Sequence, residues 1–344
     1  MQKMNRSELL KQMESVLPGL SQREVIEQSS CFVFCKGKVI TYNDEVMCTQ
    51  KCDLKIDCAV FAKPFISILR KLTDDEISVS TNKTELVIGS IGTNASVHLE
   101  KEILLPVADV EKPQSWKLLP KDFCNAIADA RSCASTDASH FVLTCIHIHP
   151  KWVEACDGVQ AIRYTIKTNF NSPALITRSA IKHVLKSEVS EFSETKNWIH
   201  FRNESGIVYS CRRYTEEYPD LTGELKCEGA EVTLPKELLR AVGQAEVFAS
   251  KFFFGSYVTV KLQSGRAVVM SYSASGHFSG AKTIAYKGKT IQFTIEPTVL
   301  KNILRKYSRF EVASSRLKVD GGKFVYVTCS GTASDMLKHH KITN

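Results

Sequence analysis

The sequence predicts an α+β protein built from repeated units, each a helix followed by a small antiparallel β-meander. The segment LPKELLRAVGQA at residues 234–245 has a near copy, LPKDFCNAIADA, at residues 119–130. The apolar spacing of this segment recurs six times with a period of roughly 58 residues, within the range of repeat architectures. Short strand-like runs follow the predicted helices.

Each predicted helix carries apolar residues at positions i, i+1 and i+4, the spacing of one buried stripe. Pro64, Pro120, Pro235 and Pro297 lie near a first turn, where a missing N–H has little effect. The six apolar sets are Leu9, Leu10 and Met13; Phe65, Ile66 and Leu69; Phe123, Cys124 and Ile127; Ala180, Ile181 and Val184; Leu238, Leu239 and Val242; and Val299, Leu300 and Ile303.

The segments after the helices are rich in β-branched residues and are separated by Gly, Asn or Ser turns. Residues 77–80, 85–90 and 95–100 follow the second helix, and residues 257–262 and 267–272 follow the fifth. Each repeat is therefore predicted to be one helix plus a small antiparallel meander.

A single repeat is too short to bury a stable core, so we expect the six repeats to pair into three domains. Polar and Pro/Gly residues place the domains at residues 1–113, 114–227 and 228–331, followed by a flexible tail at 332–344.

Segments of about 20 apolar residues, the length that crosses a membrane, are missing from the sequence. The N-terminus is amphipathic and has no signal-peptide pattern. We therefore expect a soluble, cytoplasmic protein with no membrane partner.

Twelve cysteines and no secretory signal favour free thiols buried as small apolar groups. Zinc binding by Cys48, Cys52 and Cys58 is the alternative, but their spacing lacks the CxxC pairs of structural zinc modules. We expect neither a metal nor a cofactor.

The chain has a net charge of +8, and its excess of basic residues concentrates on the second, fourth and sixth helices. The basic residues of a single helix usually form only a solvent-exposed surface without a binding function. Because repeated units present equivalent faces to one side, a recurring bias predicts a positive track for a polyanion that is bound through its phosphates.

Enzyme motifs of the Walker, GxSxG, HExxH and GxGxxG types do not occur in the sequence. Its acidic cluster, Asp74, Asp75 and Glu76, lies between a helix and a strand and is typical of a solvated turn rather than of a metal site. We expect a non-catalytic protein.

Several stretches, taken in order along the chain, are similar to one known family. They are Leu9-Leu10-Lys11; residues 142–146, interpreted as a strand, with Ala155-Cys156-Asp157-Gly158; Glu217-Tyr218-Pro219-Asp220; residues 238–242; and Tyr326-Val327-Thr328-Cys329. Through them the chain resembles the bacterial DNA polymerase III beta subunit, the DNA sliding clamp, over essentially its whole length.

The resemblance implies the DNA-clamp fold, with three similar domains in each subunit and a ring formed by a head-to-tail homodimer around duplex DNA. The function implied is that of a processivity factor. The implied partners are double-stranded DNA, the replicative DNA polymerase, the clamp loader and other proteins with clamp-binding motifs. A non-ring DNA-binding scaffold is the alternative, and a nucleic-acid-modifying enzyme is a less favoured one.

A ring that slides along DNA needs contacts that do not depend on the base sequence. Contacts of lysine and arginine side chains to phosphate are of that kind. The resemblance and the helix positions together give a set of channel candidates, of which Arg23 matches a DNA-contacting arginine of the family by position. The candidates are Lys11, Arg23, Lys71, Arg131, Lys182, Lys186, Arg240 and Arg305.

The family also binds short peptide motifs in an apolar pocket, a mode of recognition that uses a preformed groove. The carried-over positions are Val142, Cys156, Gly158, Val159, Gln160, Ala161, Pro219, Phe253, Val327 and Cys329. Here Val159-Gln160-Ala161 replaces the family's His-Arg-Leu, and Cys329-Ser330-Gly331 replaces its Met-Pro-Met. We expect a different partner motif or a weaker pocket, because methionine supplies adaptable packing surface.

Two further expectations concern the pocket and ring closure. The tail at 332–344 extends beyond the usual end of the family, and its Met336-Leu337 pair suggests that it partly covers the pocket. Residues 83–90 and 264–272 are the candidate edge strands through which two subunits pair.

Overall fold

The computed structural model describes residues 1–249, 251–252, 255–313 and 315–331. Within it the chain forms two compact units. Unit 1 contains residues 1–131, 145–151 and 167–216, and unit 2 contains residues 132–144, 152–166 and the chain from residue 217 onward. Phe253 and the tail at 332–344 fall outside the described residues.

All six predicted helices are confirmed by the structure. They are α1 (Arg6–Ser15), α2 (Ala62–Lys71), α3 (Phe123–Cys133), α4 (Arg178–Lys186), α5 (Leu238–Ala245) and α6 (Pro297–Lys306). In every helix the first and last members of the predicted apolar set are buried, whereas Leu10, Cys124 and Leu239 are only partly buried. The helices form because this stripe packs against a sheet or a neighbouring helix.

Local signals fix where several helices begin. The Asn5 side chain accepts a hydrogen bond from the Glu8 N–H at the start of α1 (3.1 Å), and Thr177 caps α4 in the same way through Ala180 (3.3 Å). Such caps satisfy N–H groups that have no partner inside the helix. Pro297 is the first residue of α6, as its position predicts.

Unit 1 contains a twelve-stranded antiparallel sheet. In spatial order its strands are Gln2–Asn5, Glu76–Thr81, Glu85–Ser90, Thr93–Glu100, Cys58–Phe61, Cys31–Cys35, Lys38–Tyr42, Val46–Lys51, Val208–Arg212, Trp198–Arg202, Glu191–Glu194 and Lys117–Leu118. A separate antiparallel pair joins Cys145–His149 to Ala174–Thr177.

The core of unit 1 is aromatic as well as aliphatic. The ring of Phe65 on α2 meets Phe32 and Phe34 edge to face, with centroids 6.0 and 6.1 Å apart. Tyr42 packs on the fully buried Trp198 at 6.0 Å. Edge contacts of this kind add to the stabilisation from burial.

Unit 2 contains three antiparallel arrangements of strands. A row of six neighbouring strands has the order Trp152–Cys156, Gln160–Thr165, Phe324–Cys329, Arg316–Asp320, Arg309–Val312 and Ala230–Thr233. A four-stranded sheet has the order Gly276–Thr283, Arg266–Ser273, Val258–Gln263 and Ile291–Ile295, and a short pair joins Lys251–Phe252 to Gly255–Ser256.

Two expectations about strands are wrong. Residues 83–90 and 264–272 are not edges, because Glu85–Ser90 and Arg266–Ser273 each pair with a strand on both sides. Of the predicted strand at 142–146, only the last two residues are extended, since a 3₁₀ helix runs over Ala138–Thr144 before the strand Cys145–His149.

The free edges lie one strand further out. Among the described residues, Gly276–Thr283 pairs only with Arg266–Ser273, and residues 93–98 pair only with Glu85–Ser90. The sequence could not identify these edges, because a strand with alternating exposure has the same pattern at an edge as inside a sheet.

The predicted division into three domains stays a prediction. The boundary at 113/114 falls inside unit 1, where Val46–Lys51 pairs with Val208–Arg212, and the boundary at 227/228 falls inside unit 2. None of the helices in the described ranges is long and apolar enough to cross a membrane.

Candidate nucleic-acid interface and peptide groove

Most of the predicted DNA-binding side chains are exposed on helices. Within the described ranges, six of them form no ion pair with an acidic side chain. These six are Lys11 on α1, Lys71 on α2, Lys182 and Lys186 on α4, Arg240 on α5 and Arg305 on α6. Their charges are therefore available to an external anion.

Other basic residues on the same helices are already neutralised. Arg70 binds Glu14 with 2.9 Å between Nη2 and Oε1, and Lys301 binds Glu246 with 2.6 Å between Nζ and Oε2. These pairs leave less unpaired positive charge on α2 and α6 than the sequence predicts.

Two of the predicted residues differ from the rest. Arg131 is half-buried, and its Nε donates to the carbonyl oxygen of Arg178 over 3.1 Å. Burial, with a smaller effect of the Arg178 charge, lowers the pKa of Arg131. Arg23 is exposed on the segment between α1 and the strand Cys31–Cys35, not on a helix.

The structure brings two of the predicted residues together in unit 1. Lys11 and Lys186 line a common cleft of about 600 Å³, which we call the unit 1 cleft, with His183 beside them. Burial lowers the pKa of His183, and the charges of Lys182 and Lys186 lower it further. Both effects disfavour the protonated imidazole, because it would be poorly solvated and would add a positive charge beside two others.

A groove of about 440 Å³ lies in unit 2, and we call it the unit 2 groove. Its lining residues are His140, Phe141, Val142, Leu143, Glu217, Tyr218, Pro219 and Asp220. The first four belong to the 3₁₀ helix Ala138–Thr144, and the other four form an irregular segment. The size and the apolar walls suit a few side chains of a short peptide.

An apolar cluster supports the unit 2 groove. Leu143 and Tyr218 pack against buried residues, which are Cys156, Ala161, Leu221, Leu225 and Val327. The register pairs Ala161 with both Cys156 and Val327 across neighbouring strands. Ala161, which has a small side chain, is therefore the member of this cluster that pairs with cluster residues on both neighbouring strands.

A partly buried tyrosine connects the groove wall to the sheet by a hydrogen bond. The Tyr218 hydroxyl accepts a hydrogen bond from the Cys156 N–H over 2.9 Å. Burial raises the pKa of Tyr218 well above its ordinary value, and the nearby Cys156 adds to this. The hydroxyl therefore stays protonated and fixes the ring in place.

The predicted pocket residues divide into three groups. Val142 and Pro219 line the unit 2 groove, and Cys156, Ala161 and Val327 are buried in the cluster beneath it. Gly158 and Val159 form the turn after Cys156, and Gln160 begins the strand Gln160–Thr165. Cys329 is exposed, and its N–H donates to the Val159 carbonyl over 2.8 Å. Phe253 lies outside the described residues.

Sequence reasoning missed much of the lining. It did not select His140, Phe141, Leu143, Glu217, Tyr218 and Asp220. The stretch Glu217-Tyr218-Pro219-Asp220 carried part of the resemblance, so its aromatic residue was the available signal. From the 3₁₀ helix only Val142 was selected, and residues 142–144 were interpreted as part of a strand.

The cysteines are free thiols, as expected, and Cys329 is exposed. Burial raises the pKa of Cys31 and of Cys48 to about 12, so both stay protonated and unreactive at neutral pH. Among the residues that the structure describes, no three His, Cys, Asp or Glu side chains are arranged to hold a metal, so Cys48, Cys52 and Cys58 do not converge.

The acidic turn has structural contacts. The Asp74 carboxylate accepts hydrogen bonds from the Ser90 hydroxyl and from the Ile91 N–H (3.0 Å), and these lower its pKa. Glu76 forms an ion pair with Lys3 at 2.8 Å. Both carboxylates thus hold the turn to neighbouring segments.

Comparison with solved structures gives a full-length match. The DNA polymerase III subunit beta of Pseudomonas aeruginosa matches with a TM-score of 0.82 at 14% identity, covering 96% of this chain and 99% of that one. A putative beta subunit from Eubacterium rectale matches with a TM-score of 0.82 at 18% identity, covering 95% and 98%.

The DNA polymerase sliding clamp of Bacillus subtilis matches with a TM-score of 0.80 at 14% identity, covering 95% and 98%. Comparison of the sequence with protein-family models and with curated proteins gave no match. The chain therefore has the fold of these clamp subunits, at an identity too low for sequence comparison to detect.

Proposed function

We propose that this protein is a DNA sliding clamp, a non-catalytic processivity factor that encircles duplex DNA and tethers the replicative DNA polymerase. The observation that carries the proposal is the match in fold, which covers nearly the whole of this chain and of each clamp subunit. The proposed subunit contains three clamp domains, at residues 1–113, 114–227 and 228–331, and acts in the cytoplasm.

The exposed cations on the helices support DNA as the ligand. Lys11, Lys71, Lys182, Lys186, Arg240 and Arg305 lie on the repeated helices and have no acidic partner among the described residues. Lysine and arginine contacts to phosphate do not read sequence, so they permit movement along the duplex. Arg23 and Arg131 complete the proposed set, with Arg131 the weakest because its guanidinium is already bound.

Two free strand edges support a homodimer. The Leu99 N–H donates to Thr84 and the Ile284 N–H donates to Gly265. Because N–H directions alternate along a strand, those of Ser96 and Ser279 point away from the paired neighbour. We propose that residues 93–98 of one subunit pair with Gly276–Thr283 of its partner.

The unit 2 groove supports a second class of partners. Its apolar walls and its fixed Tyr218 suit an extended peptide with a few apolar side chains. In the proposed function these peptides belong to the polymerase, the clamp loader and other proteins with clamp-binding motifs.

The first experiment combines solution mass with DNA topology. Light scattering over a concentration series measures the mass, and the purified protein is then loaded on nicked circular DNA by the clamp loader of a bacterial host. We expect a dimer that is retained on circles at a salt concentration that abolishes phosphate contacts, and that is lost when the circle is linearised.

A monomer whose salt-sensitive binding ignores DNA topology would favour the alternative, a non-ring scaffold that uses the same basic helices. A nucleic-acid-modifying enzyme is the less favoured alternative. A covalent change in the DNA after incubation with the protein and a divalent metal would support it.

A further inference from the structure

The unit 2 groove is acidic although the chain is basic. Two carboxylates, Glu217 and Asp220, belong to the lining, and the described lining contains no lysine or arginine. The chain as a whole carries a net charge of +8. The charge of this surface is therefore opposite to that of the DNA-binding helices.

Both carboxylates are open to a ligand. Glu217 is exposed and forms no ion pair with the described residues, and the Asp220 side chain is 80% exposed. Arg163 lies 4.0 Å from Asp220, but its Nε already binds the buried Glu154 at 2.6 Å. Hydrogen bonds from Thr222 lower the pKa of Asp220, so it remains charged at neutral pH.

The 3₁₀ helix Ala138–Thr144 supplies most of the apolar lining of the groove. Phe141, Val142 and Leu143 supply one wall, and Tyr218 and Pro219 lie between the two acidic residues in the chain. A peptide whose apolar side chains contact this wall therefore occupies a groove that Glu217 and Asp220 also line.

We propose that the unit 2 groove binds an extended partner peptide whose apolar anchors are flanked by lysine or arginine. The argument rests on charge complementarity, which selects among peptides with similar anchors. It deepens the proposed clamp function, since it names the chemistry that the partner motif must carry.

The test uses two fluorescein-labelled nonapeptides with leucine and phenylalanine at the same positions, one with lysine and the other with glutamate at the flanking positions. Fluorescence polarisation with the full chain measures each affinity at pH 8. We expect the lysine peptide to bind about fivefold to tenfold more tightly at about 50 mM salt, with the ratio falling as salt rises.

Substitutions in the protein locate the effect. The double variant E217Q/D220N removes both negative charges and should bring the affinities of the two peptides to within about twofold of each other. Both residues are changed together because a single exposed ion pair contributes little to affinity. The control is Glu231→Gln, which removes an exposed carboxylate of unit 2 from the strand Ala230–Thr233, away from the groove lining. It should leave the preference for lysine unchanged.

Other outcomes overturn the proposal. Equal affinities of the two peptides for the unaltered protein would refute the proposed charge preference. If neither peptide binds while the protein is retained on circular DNA, the groove is not a peptide site, but the proposed clamp function stands. Loss of retention on circles with the lysine preference preserved would refute the clamp function alone.

The chain's own C-terminal segment is a competing occupant, because Met336-Leu337 is followed by Lys338-His339-His340-Lys341. These residues lie outside the described ranges. Binding of the lysine peptide only after the double substitution M336D/L337D in the full chain would overturn the partner proposal and favour this segment instead.

Discussion

At the scale of single residues, a buried histidine links the stability of unit 1 to pH. His200 is fully buried, its Nδ1 lies 2.8 Å from the Ser210 hydroxyl, and burial lowers its pKa from 6.5 to about 4. Between these two values the unfolded chain binds a proton that the folded chain does not, so stability falls as pH falls. We expect a loss of roughly 3 kcal/mol between pH 6.5 and pH 4, measured by urea unfolding.

The control for this prediction is His200→Asn, which keeps a polar partner for Ser210 but does not titrate. Its free energy of unfolding should depend less steeply on pH in the same interval, even if the variant is less stable overall. A slope equal to that of the unaltered protein would assign the pH dependence to other groups, such as Glu111, whose carboxylate accepts from the Asn197 N–H.

Lys11 and Lys186 test the proposed DNA-binding surface at the same scale, because both line the unit 1 cleft and neither has an acidic partner among the described residues. Changing either one to alanine should lower the slope of log affinity against log salt by about 1 on linear duplex DNA, regardless of sequence. Filter binding or anisotropy measures this slope. The control is Lys83→Ala, an exposed lysine in a strand turn, and an equal effect there would indicate a diffuse charge contribution.

At the scale of elements, the helices were predictable and the groove was not. The helix at Leu238–Ala245 follows from a local pattern, since Leu238 and Val242 recur on one face. The groove depends on Leu143 and Tyr218, which are far apart in sequence and meet only through the fold. Its acidic character could be read from Glu217 and Asp220 only once their neighbours were known.

The free strand edge gives a prediction at this scale. Ser279→Pro removes an N–H that points away from the paired strand Arg266–Ser273, so the ladder inside the subunit is kept. If this edge closes the dimer, the dissociation constant should rise at least about tenfold, equivalent to one or two lost hydrogen bonds. Analytical ultracentrifugation measures it.

Ser279→Ala is the matched control, because it removes the hydroxyl but retains the N–H. It should dimerise as the unaltered protein does. A Ser279→Pro variant with an unchanged dissociation constant would exclude the strand Gly276–Thr283 as the dimer edge.

At the scale of the whole molecule, dimerisation should couple stability to concentration. If the folded chain binds a second copy and the unfolded chain does not, the apparent Tm rises with protein concentration. We expect a rise of a few degrees over about a hundredfold range, measured by differential scanning fluorimetry. The Ser279→Pro variant should have a lower apparent Tm than the unaltered protein at each concentration, because its dimer is weaker. A flat dependence in the unaltered protein would argue for a monomer.

The two open strand edges also bear on how this protein behaves when it is overproduced or diluted. Residues 93–98 and Gly276–Thr283 are edge segments whose outward backbone groups find no partner strand among the described residues of their own chain. Such edges are templates for unplanned pairing and aggregation. A dissociated subunit would therefore be prone to precipitate, and the closed dimer would protect the chain by covering both edges.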